Sequence, residues 1–149
     1  MITDTTIDHD TFTITFKRAF AAPREQIFDA WTQAEHIKHW WDPTGLPLSG
    51  CVVDLRPAGT FTFTNQDSAH SPPFSGVYRV IDRPSTLVFE ALGAIGTVKL
   101  DALDGATQMT VTIQCASAEH FTQFLKLGVD TNTDRTFDNL VAYMLKKAS

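Results

Sequence analysis

The side chains in this 149-residue sequence that could do chemistry are few, and their spacing is not diagnostic. Asp54 and Arg56 fall on one side of a short predicted strand, where they can form an ion pair. Acid–base catalysis would need a buried carboxylate with a shifted pKa beside a bound substrate. Asp54 and Glu90 are the candidate carboxylates, and Arg18 and Arg56 are the candidate cationic groups. Because the sequence has no GxSxG, P-loop, GxGxxG or HExxH motif, we assign no catalytic residue.

Histidine and cysteine raise the question of a metal site or a nucleophile. His36 and His39 are three residues apart on a short predicted helix, with Asp42 nearby, but a zinc site needs three or four converging ligands. We therefore predict no metal and no cofactor. Cys51 and Cys115 form no CxxC pair, so we interpret both as free thiols in a reducing, cytoplasmic compartment.

The aromatic residues point more clearly to a binding site. The chain has eleven phenylalanines and three tryptophans, two of which, Trp40 and Trp41, are adjacent. Neighbouring residues on a helix point about 100° apart, so the two indoles cannot share one narrow stripe. If Trp41 packs inward beside Ile37, Trp40 faces the mouth of a cavity or the solvent. The alternative is that both indoles seal the junction between helices and sheet.

A cavity lined by aromatic rings would draw its wall from several strands and from the last two helices, although many of these rings also suit an ordinary core. The polar start of the last helix, with Asn132, Thr133 and Thr136 on one face, would either offer hydrogen bonds inside the pocket or form a solvated surface. Arg18 lies on the apolar phase of the first strand, so it is either a cation at the cavity mouth or a frayed strand end in solvent. The predicted ligand-binding residues are Trp40, Trp41, Phe61, Phe63, Phe74, Tyr78, Phe89, Phe121, Phe124, Asn132, Thr133, Phe137 and Arg18.

Hydrophobic periodicity predicts the elements that must position these residues. Phe12, Ile14 and Phe16 alternate with polar residues in a first strand, and two short helices follow up to Asp42-Pro43. Strands with short turns come next, and a long helix of about 18 residues ends the chain. This order predicts an α+β fold with an antiparallel sheet of about six or seven strands, two short helices after strand 1, and a long C-terminal helix on the sheet.

Composition limits the class of protein. Hydrophobic residues make up 43% of the chain and charged residues 19%, which is typical of a single domain over residues 1–149, with 1–10 as an acidic tail whose order the sequence leaves open. The net charge of −5 and the lack of a basic run argue against nucleic acid or a membrane surface as a partner. The sequence shows no apolar run that could span a membrane and no signal peptide. The oligomeric state stays open, with a homodimer as one option.

Five segments resemble a known family when taken in order: FKRAFAAPREQIFDAWT, WWDPTG, VVDLRPAGTFTF, SGVYRVIDRPSTLVFE and GVDTNTDRTFDNLVAYM. They are similar to the helix-grip, START-like superfamily often abbreviated SRPBCC, and within it to the branch named after the activator of the heat-shock-chaperone ATPase. The resemblance implies a curved antiparallel sheet that grips the C-terminal helix, a cavity between them, and two short helices that close one end. The family often has a Gly-Trp pair where this chain has Asn132-Thr133, a departure that would put a smaller, polar group near the cavity.

From the residues and the resemblance together, we expect the domain to bind a small hydrophobic or aromatic molecule in that cavity. Two alternatives remain. The resemblance allows a cyclase- or hydrolase-like reaction of the polyketide-cyclase type, which predicts a titratable residue buried in the cavity. It also allows a chaperone-activator-like interaction module, which predicts a closed interior and an exposed apolar patch on the order of several hundred Å².

Overall fold

The computed structural model describes residues 4–66 and 73–148, which form eight strands and four helices. None of the helices within these two ranges is long and apolar enough to cross a membrane. The elements in chain order are β1 (Asp4–Asp8), β2 (Thr13–Phe20), α1 (Arg24–Thr32), α2 (Ala34–Trp40), β3 (Gly50–Val53), β4 (Thr60–Thr64), β5 (Phe74–Asp82), β6 (Thr86–Ala91), β7 (Ala94–Leu103), β8 (Ala106–Gln114), α3 (Ala118–Lys126) and α4 (Val129–Ala148).

The described strands form one antiparallel sheet, in the order β1-β2-β8-β7-β6-β5-β4-β3. Burial alternates along them: on β7, Ala94, Gly96, Val98 and Leu100 are buried while the residues between them are more exposed. This period of two marks the face that carries the core. The sheet curves around α4, so the predicted α+β helix-grip fold is confirmed.

The structure has eight described strands, whereas the sequence predicted about six or seven. The strand that was not predicted is β1. β1 forms inside the segment that was interpreted as an acidic tail, and it pairs with β2 so that Thr5 lies opposite Phe16. Only Thr5 of β1 is partly buried. An edge strand that buries so little apolar surface needs no hydrophobic alternation, so periodicity could not reveal it.

The two short helices bring large side chains to one end of the sheet. Pro23 precedes α1, and its carbonyl accepts hydrogen bonds from the backbone N–H groups of Gln26 and Ile27 at 3.1 and 3.3 Å. The buried face of α1 carries Trp31, and the buried face of α2 carries Trp40. The indoles of Trp31 and Trp40 therefore lie in the core.

The long helix α4 is held to the sheet by its buried face and by an ion pair. Phe137 and Leu140 are fully buried, and the Phe137 ring meets Phe16 of β2 edge-on at 5.5 Å between centroids. Each apolar side chain buried in this way stabilises the fold by about 1.5–3 kcal/mol. The Arg18 guanidinium of β2 lies 2.8 Å from the Asp138 carboxylate of α4.

The Asp134 carboxyl of α4 is partly buried beside the edge strand. It accepts a hydrogen bond from the Thr5 hydroxyl at 2.9 Å, but burial and the neighbouring Asp138 and Asp130 raise its pKa above the usual 3.8. The folded state therefore binds this proton more tightly than the unfolded chain, and the ionised carboxylate costs stability at neutral pH. We expect Asp134→Asn to raise the Tm at pH 7, with a gain that shrinks as the pH falls towards 3.8.

Asp138→Asn is the matched control, four residues along the same helix. It removes the carboxylate that faces the buried Arg18 guanidinium, so it should lower the Tm at pH 7. Thermal melts of both variants and the wild type, at pH 7 and about pH 4.5, separate the two effects. A lower Tm for Asp134→Asn at pH 7, or a gain that does not depend on pH, would contradict the assignment.

Candidate functional site

A cavity of about 270 Å³ lies between the concave face of the sheet and α4. Its wall is formed by α1, the loop after α2, the central strands, α3 and the first half of α4. Of the predicted binding residues, those that line it are Trp41, Phe74, Phe89, Phe124, Asn132, Thr133 and Phe137.

Of the options that the sequence left open, the structure places Trp40 in the packed junction between helices and sheet, and it places Trp41 at the cavity. Trp40 is only 1% exposed, and its indole N–H donates to the Ala30 carbonyl at 3.0 Å. Trp41 lines the cavity and packs against Phe63 and Phe74, at 4.9 and 5.2 Å between centroids. Trp41 is the C-cap residue of α2 and keeps helical φ and ψ values of −66° and −40°, so its side chain points about 100° away from that of Trp40. The stripe that Trp40 shares with Ile37 faces the core, and Trp41 faces the aromatic rings of the sheet beside it.

Three of the remaining predicted rings belong to the core behind the cavity. Phe61, Phe63 and Tyr78 line a separate void of about 10 Å³, which is at the lower limit for a single water molecule. Tyr78 is buried, and burial raises its pKa, so its hydroxyl stays neutral. Phe121 lies elsewhere, against His9, at 5.4 Å between centroids. The prediction that these four rings line the cavity was wrong, because their strand and helix faces point into tightly packed parts of the core.

Arg18 is neither at the cavity mouth nor in solvent. It is 6% exposed, and its Nη1 donates to Asp138 Oδ1 at 2.8 Å. It does not line the cavity. From the apolar phase of β2, the long Arg18 side chain reaches Asp138 on α4, so it links the sheet to the helix. Both readings of the sequence, mouth or solvent, were wrong.

The polar part of the wall comes from one face of α4. The Thr136 hydroxyl donates to the Trp41 or Asn132 carbonyl, at 3.2 and 3.1 Å. By contrast, neither the Asn132 amide nor the Thr133 hydroxyl has a hydrogen-bond partner among the residues that the structure describes. These two groups are therefore available to a ligand that enters the cavity.

Sequence reasoning missed nine of the lining residues, three of which are alanine or glycine. A cavity persists where side chains are too short to meet, so Ala94 and Gly96, on the inward phase of β7, matter as much as the rings. The alternation of β7 and β8 already indicated which of their residues face inward, but the prediction selected mainly aromatic side chains. The missed residues are Trp31, Pro43, Ala91, Leu92, Ala94, Gly96, Val111, Ile113 and Val129.

His120 of α3 forms a hydrogen bond with the backbone of Leu92, which lines one side of the cavity. The backbone N–H of Ala116 donates to His120 Nδ1 at 3.2 Å, so the ring proton is on Nε2, which donates to the Leu92 carbonyl at 3.0 Å. Leu92 adopts a positive φ of 55° in the tight turn between β6 and β7, and it lines the cavity. His120 therefore holds this strained turn against α3.

The acid–base candidates lie away from the cavity. Arg56 pairs with Asp54 at 2.9 Å, as predicted, and both are solvent-accessible. Glu90 pairs with Arg79 on an exposed part of the sheet. No described lining residue of the cavity is titratable.

The cysteine and histidine residues are not arranged for nucleophilic or metal chemistry. Burial raises the pKa of Cys51 to about 11 and also raises the pKa of Cys115, so both are thiols at neutral pH. His36 Nδ1 lies 2.6 Å from the Tyr143 hydroxyl, and His39 stacks on the same ring. Within residues 4–66 and 73–148, no group of three or more His, Cys, Asp or Glu residues could hold a metal ion.

A curved antiparallel sheet that wraps a long C-terminal helix, with a cavity between them, defines a helix-grip domain. The chain belongs to the family described as Activator of Hsp90 ATPase homolog 1-like protein, whose family model matches residues 21–144. This finding confirms the resemblance seen in the sequence. No curated protein matches the chain significantly.

Solved structures share the whole fold at low sequence identity. Protein Ms6760 from Mycobacterium smegmatis is 24% identical, with 99% of each chain covered and a TM-score of 0.85. A protein from Rhodobacter sphaeroides is 21% identical, with 99% of each chain covered and a TM-score of 0.84. An AHSA1-like protein from Aeromonas hydrophila is 19% identical, with 90% of this chain and 94% of that chain covered and a TM-score of 0.70. At these identities the likeness establishes the fold.

Proposed function

We propose that this protein binds a small aromatic or other hydrophobic molecule in the cavity beneath α4. The observation that carries the proposal is the cavity itself, about 270 Å³ of space lined mainly by apolar side chains. Protein interiors are normally packed as densely as organic crystals, and voids much larger than a water molecule are few. A concave, mainly apolar space with a few polar groups is the usual form of a small-molecule site.

The composition of the wall favours an aromatic ligand over an aliphatic one. Six rings face the space, and aromatic pairs in edge-to-face or offset geometry gain about 0.5–1.5 kcal/mol beyond their buried area. Burial of apolar surface adds roughly 25 cal/mol per Å², part of which is lost to the entropy of association. The rings belong to Trp31, Trp41, Phe74, Phe89, Phe124 and Phe137.

The Asn132 amide and the Thr133 hydroxyl supply the polar contacts. Both face the cavity from α4, and the amide offers a donor and an acceptor. A ligand with one hydroxyl, carbonyl or amino group would therefore be oriented with that group towards α4. Thr133 is half-buried and Asn132 is exposed, so a polar ligand gains hydrogen bonds there that a purely apolar ligand of the same size does not make.

The lining also bears on the choice between binding and acid–base catalysis. The enzymatic alternative predicted a titratable residue in the cavity, whereas the described lining residues are apolar, amide or hydroxyl side chains. This supports a binding role. The proposal concerns the cavity and not the chaperone activation to which the family's name refers. It assigns the protein to the cytoplasm, because Cys51 and Cys115 are free thiols.

A fluorescence titration tests the proposal, because Trp31 and Trp41 line the cavity and report on its contents. We expect hydroxylated bicyclic aromatics and flavonoids to change tryptophan emission saturably at one site, with Kd values in the micromolar range (~8 kcal/mol). Fatty acids and sterols of similar hydrophobicity form the comparison panel, and free tryptophan amide corrects for optical quenching. If no compound gives a saturable change at high micromolar concentration, the proposal is wrong.

A further inference from the structure

Phe89 of β6 occupies an unusual position at one wall of the cavity. It lies directly opposite Gly96 of β7 in the strand register. A Cβ atom at position 96 would come within 2.5 Å of Phe89 Cζ and 2.7 Å of Cε2. The far end of the ring therefore lies over the glycine backbone, where any larger residue would collide with it.

Phe89 also separates two spaces. The cavity of about 270 Å³ and the void of about 10 Å³ are both lined by Phe89, Trp31 and Trp41. The partition between them is therefore one layer of side chains thick. On the far side, the Phe89 ring meets Phe61 edge-on at 5.8 Å between centroids.

From these contacts, we infer that Phe89, seated on Gly96, is a specificity-determining residue that sets the size of aromatic ligand the cavity accepts. The inference rests on the proposed function. A smaller side chain at position 89 joins the void to the cavity and leaves more space for a larger ligand on that side. A methyl group at position 96 would collide with the Phe89 ring and push it into the cavity. The volume left for a ligand would therefore be smaller.

The choice of Gly96 for substitution follows from what surrounds it. The nearest atoms to a Cβ at Gly96 are the far end of the flexible Phe89 side chain, so the chain can yield there. At Gly76, which lies against Phe61 in the same way, a Cβ would come within 2.4 Å of the Glu90 carbonyl oxygen, so backbone would have to move. Gly96→Ala therefore changes the cavity with little change to the sheet.

The experiment compares dissociation constants for 2-naphthol and 2-anthrol, which differ by one fused ring, in four variants and the wild type. Phe89→Leu should shift the ratio of the two constants about tenfold in favour of 2-anthrol. Gly96→Ala should weaken both ligands and shift the ratio the other way. The double variant Gly96→Ala/Phe89→Leu should recover 2-naphthol binding, because the ring that the methyl displaces is gone. Ile95→Ala, on the opposite face of β7, should leave the ratio unchanged.

The possible outcomes separate this inference from the proposed function. If the wild type binds 2-naphthol but the ratio is the same in Phe89→Leu, Gly96→Ala and the wild type, the role of Phe89 is wrong and the binding function stands. If the wild type binds neither probe, the proposed function and this inference fall together. Circular dichroism and a thermal melt show whether each variant is folded, and the double variant gives a second test if Gly96→Ala alone is unstable.

Discussion

Replacement of Trp40 by alanine is expected to destabilise the protein by about 3–5 kcal/mol, a large share of the roughly 5–15 kcal/mol that holds a domain folded. The indole is 1% exposed and packs edge-on against Trp31 at 4.9 Å between centroids. Its removal leaves a cavity that the surrounding helices cannot close, and the Ala30 carbonyl loses a donor. Urea denaturation should show a much lower midpoint with a similar slope.

Trp41→Ala is the matched control, since it makes the same chemical change one residue further on. Trp41 is only partly buried and already borders open space, so we expect a smaller loss of about 1–3 kcal/mol. Its main effect should be weaker binding of aromatic ligands. Equal losses of stability for the two variants, or a larger loss for Trp41→Ala, would show that the two indoles have been assigned to the wrong environments.

The second large effect is expected from Thr133→Trp, which places an indole inside the cavity from α4. Thr133 lines the space, and an added ring system occupies the volume that a ligand would use. We expect aromatic ligands to lose at least about a hundredfold in affinity, or ~2.7 kcal/mol. Stability should be unchanged or higher by about 0.5–2 kcal/mol, as is common when a cavity is filled. Isothermal titration and urea denaturation measure the two quantities.

Thr131→Trp gives the same chemical change two residues earlier on the helix. Thr131 is exposed, does not line the cavity, and donates its hydroxyl to the Gly128 carbonyl at 3.2 Å. Ligand affinity should therefore stay within about twofold of the wild type. If the two variants bind alike, whether both weakly or both well, the ligand does not occupy the space beside Thr133.

The fold could be predicted because its signals are local. Alternation on β2, β7 and β8 and the amphipathic half of α4 each identify an element and the face it buries. β1 was missed because an exposed edge strand carries no such pattern. The family resemblance then supplied the arrangement of the elements, which periodicity alone does not give.

The site was predicted only in part, because a cavity depends on what side chains fail to fill. Periodicity indicates that Phe61 and Phe89 both point to the concave face, but only coordinates show that Phe61 is sealed in the core while Phe89 borders the open space. The environments of Trp40 and Trp41 depend on how α2 is rotated about its axis, and a pattern of seven residues does not fix that rotation. Arg18 looked like a site residue because its partner, Asp138, lies 120 residues away in the sequence.

The most direct test is to locate a bound ligand by nuclear Overhauser effects between 2-naphthol and the methyl groups of the protein. With the ligand between sheet and helix, we expect contacts to Val111 and Ile113 of β8 and to Val129 of α4, which line the cavity from opposite sides. Saturable binding that shows contacts only to exposed methyl groups, such as those of Val52 or Leu103, would contradict the account.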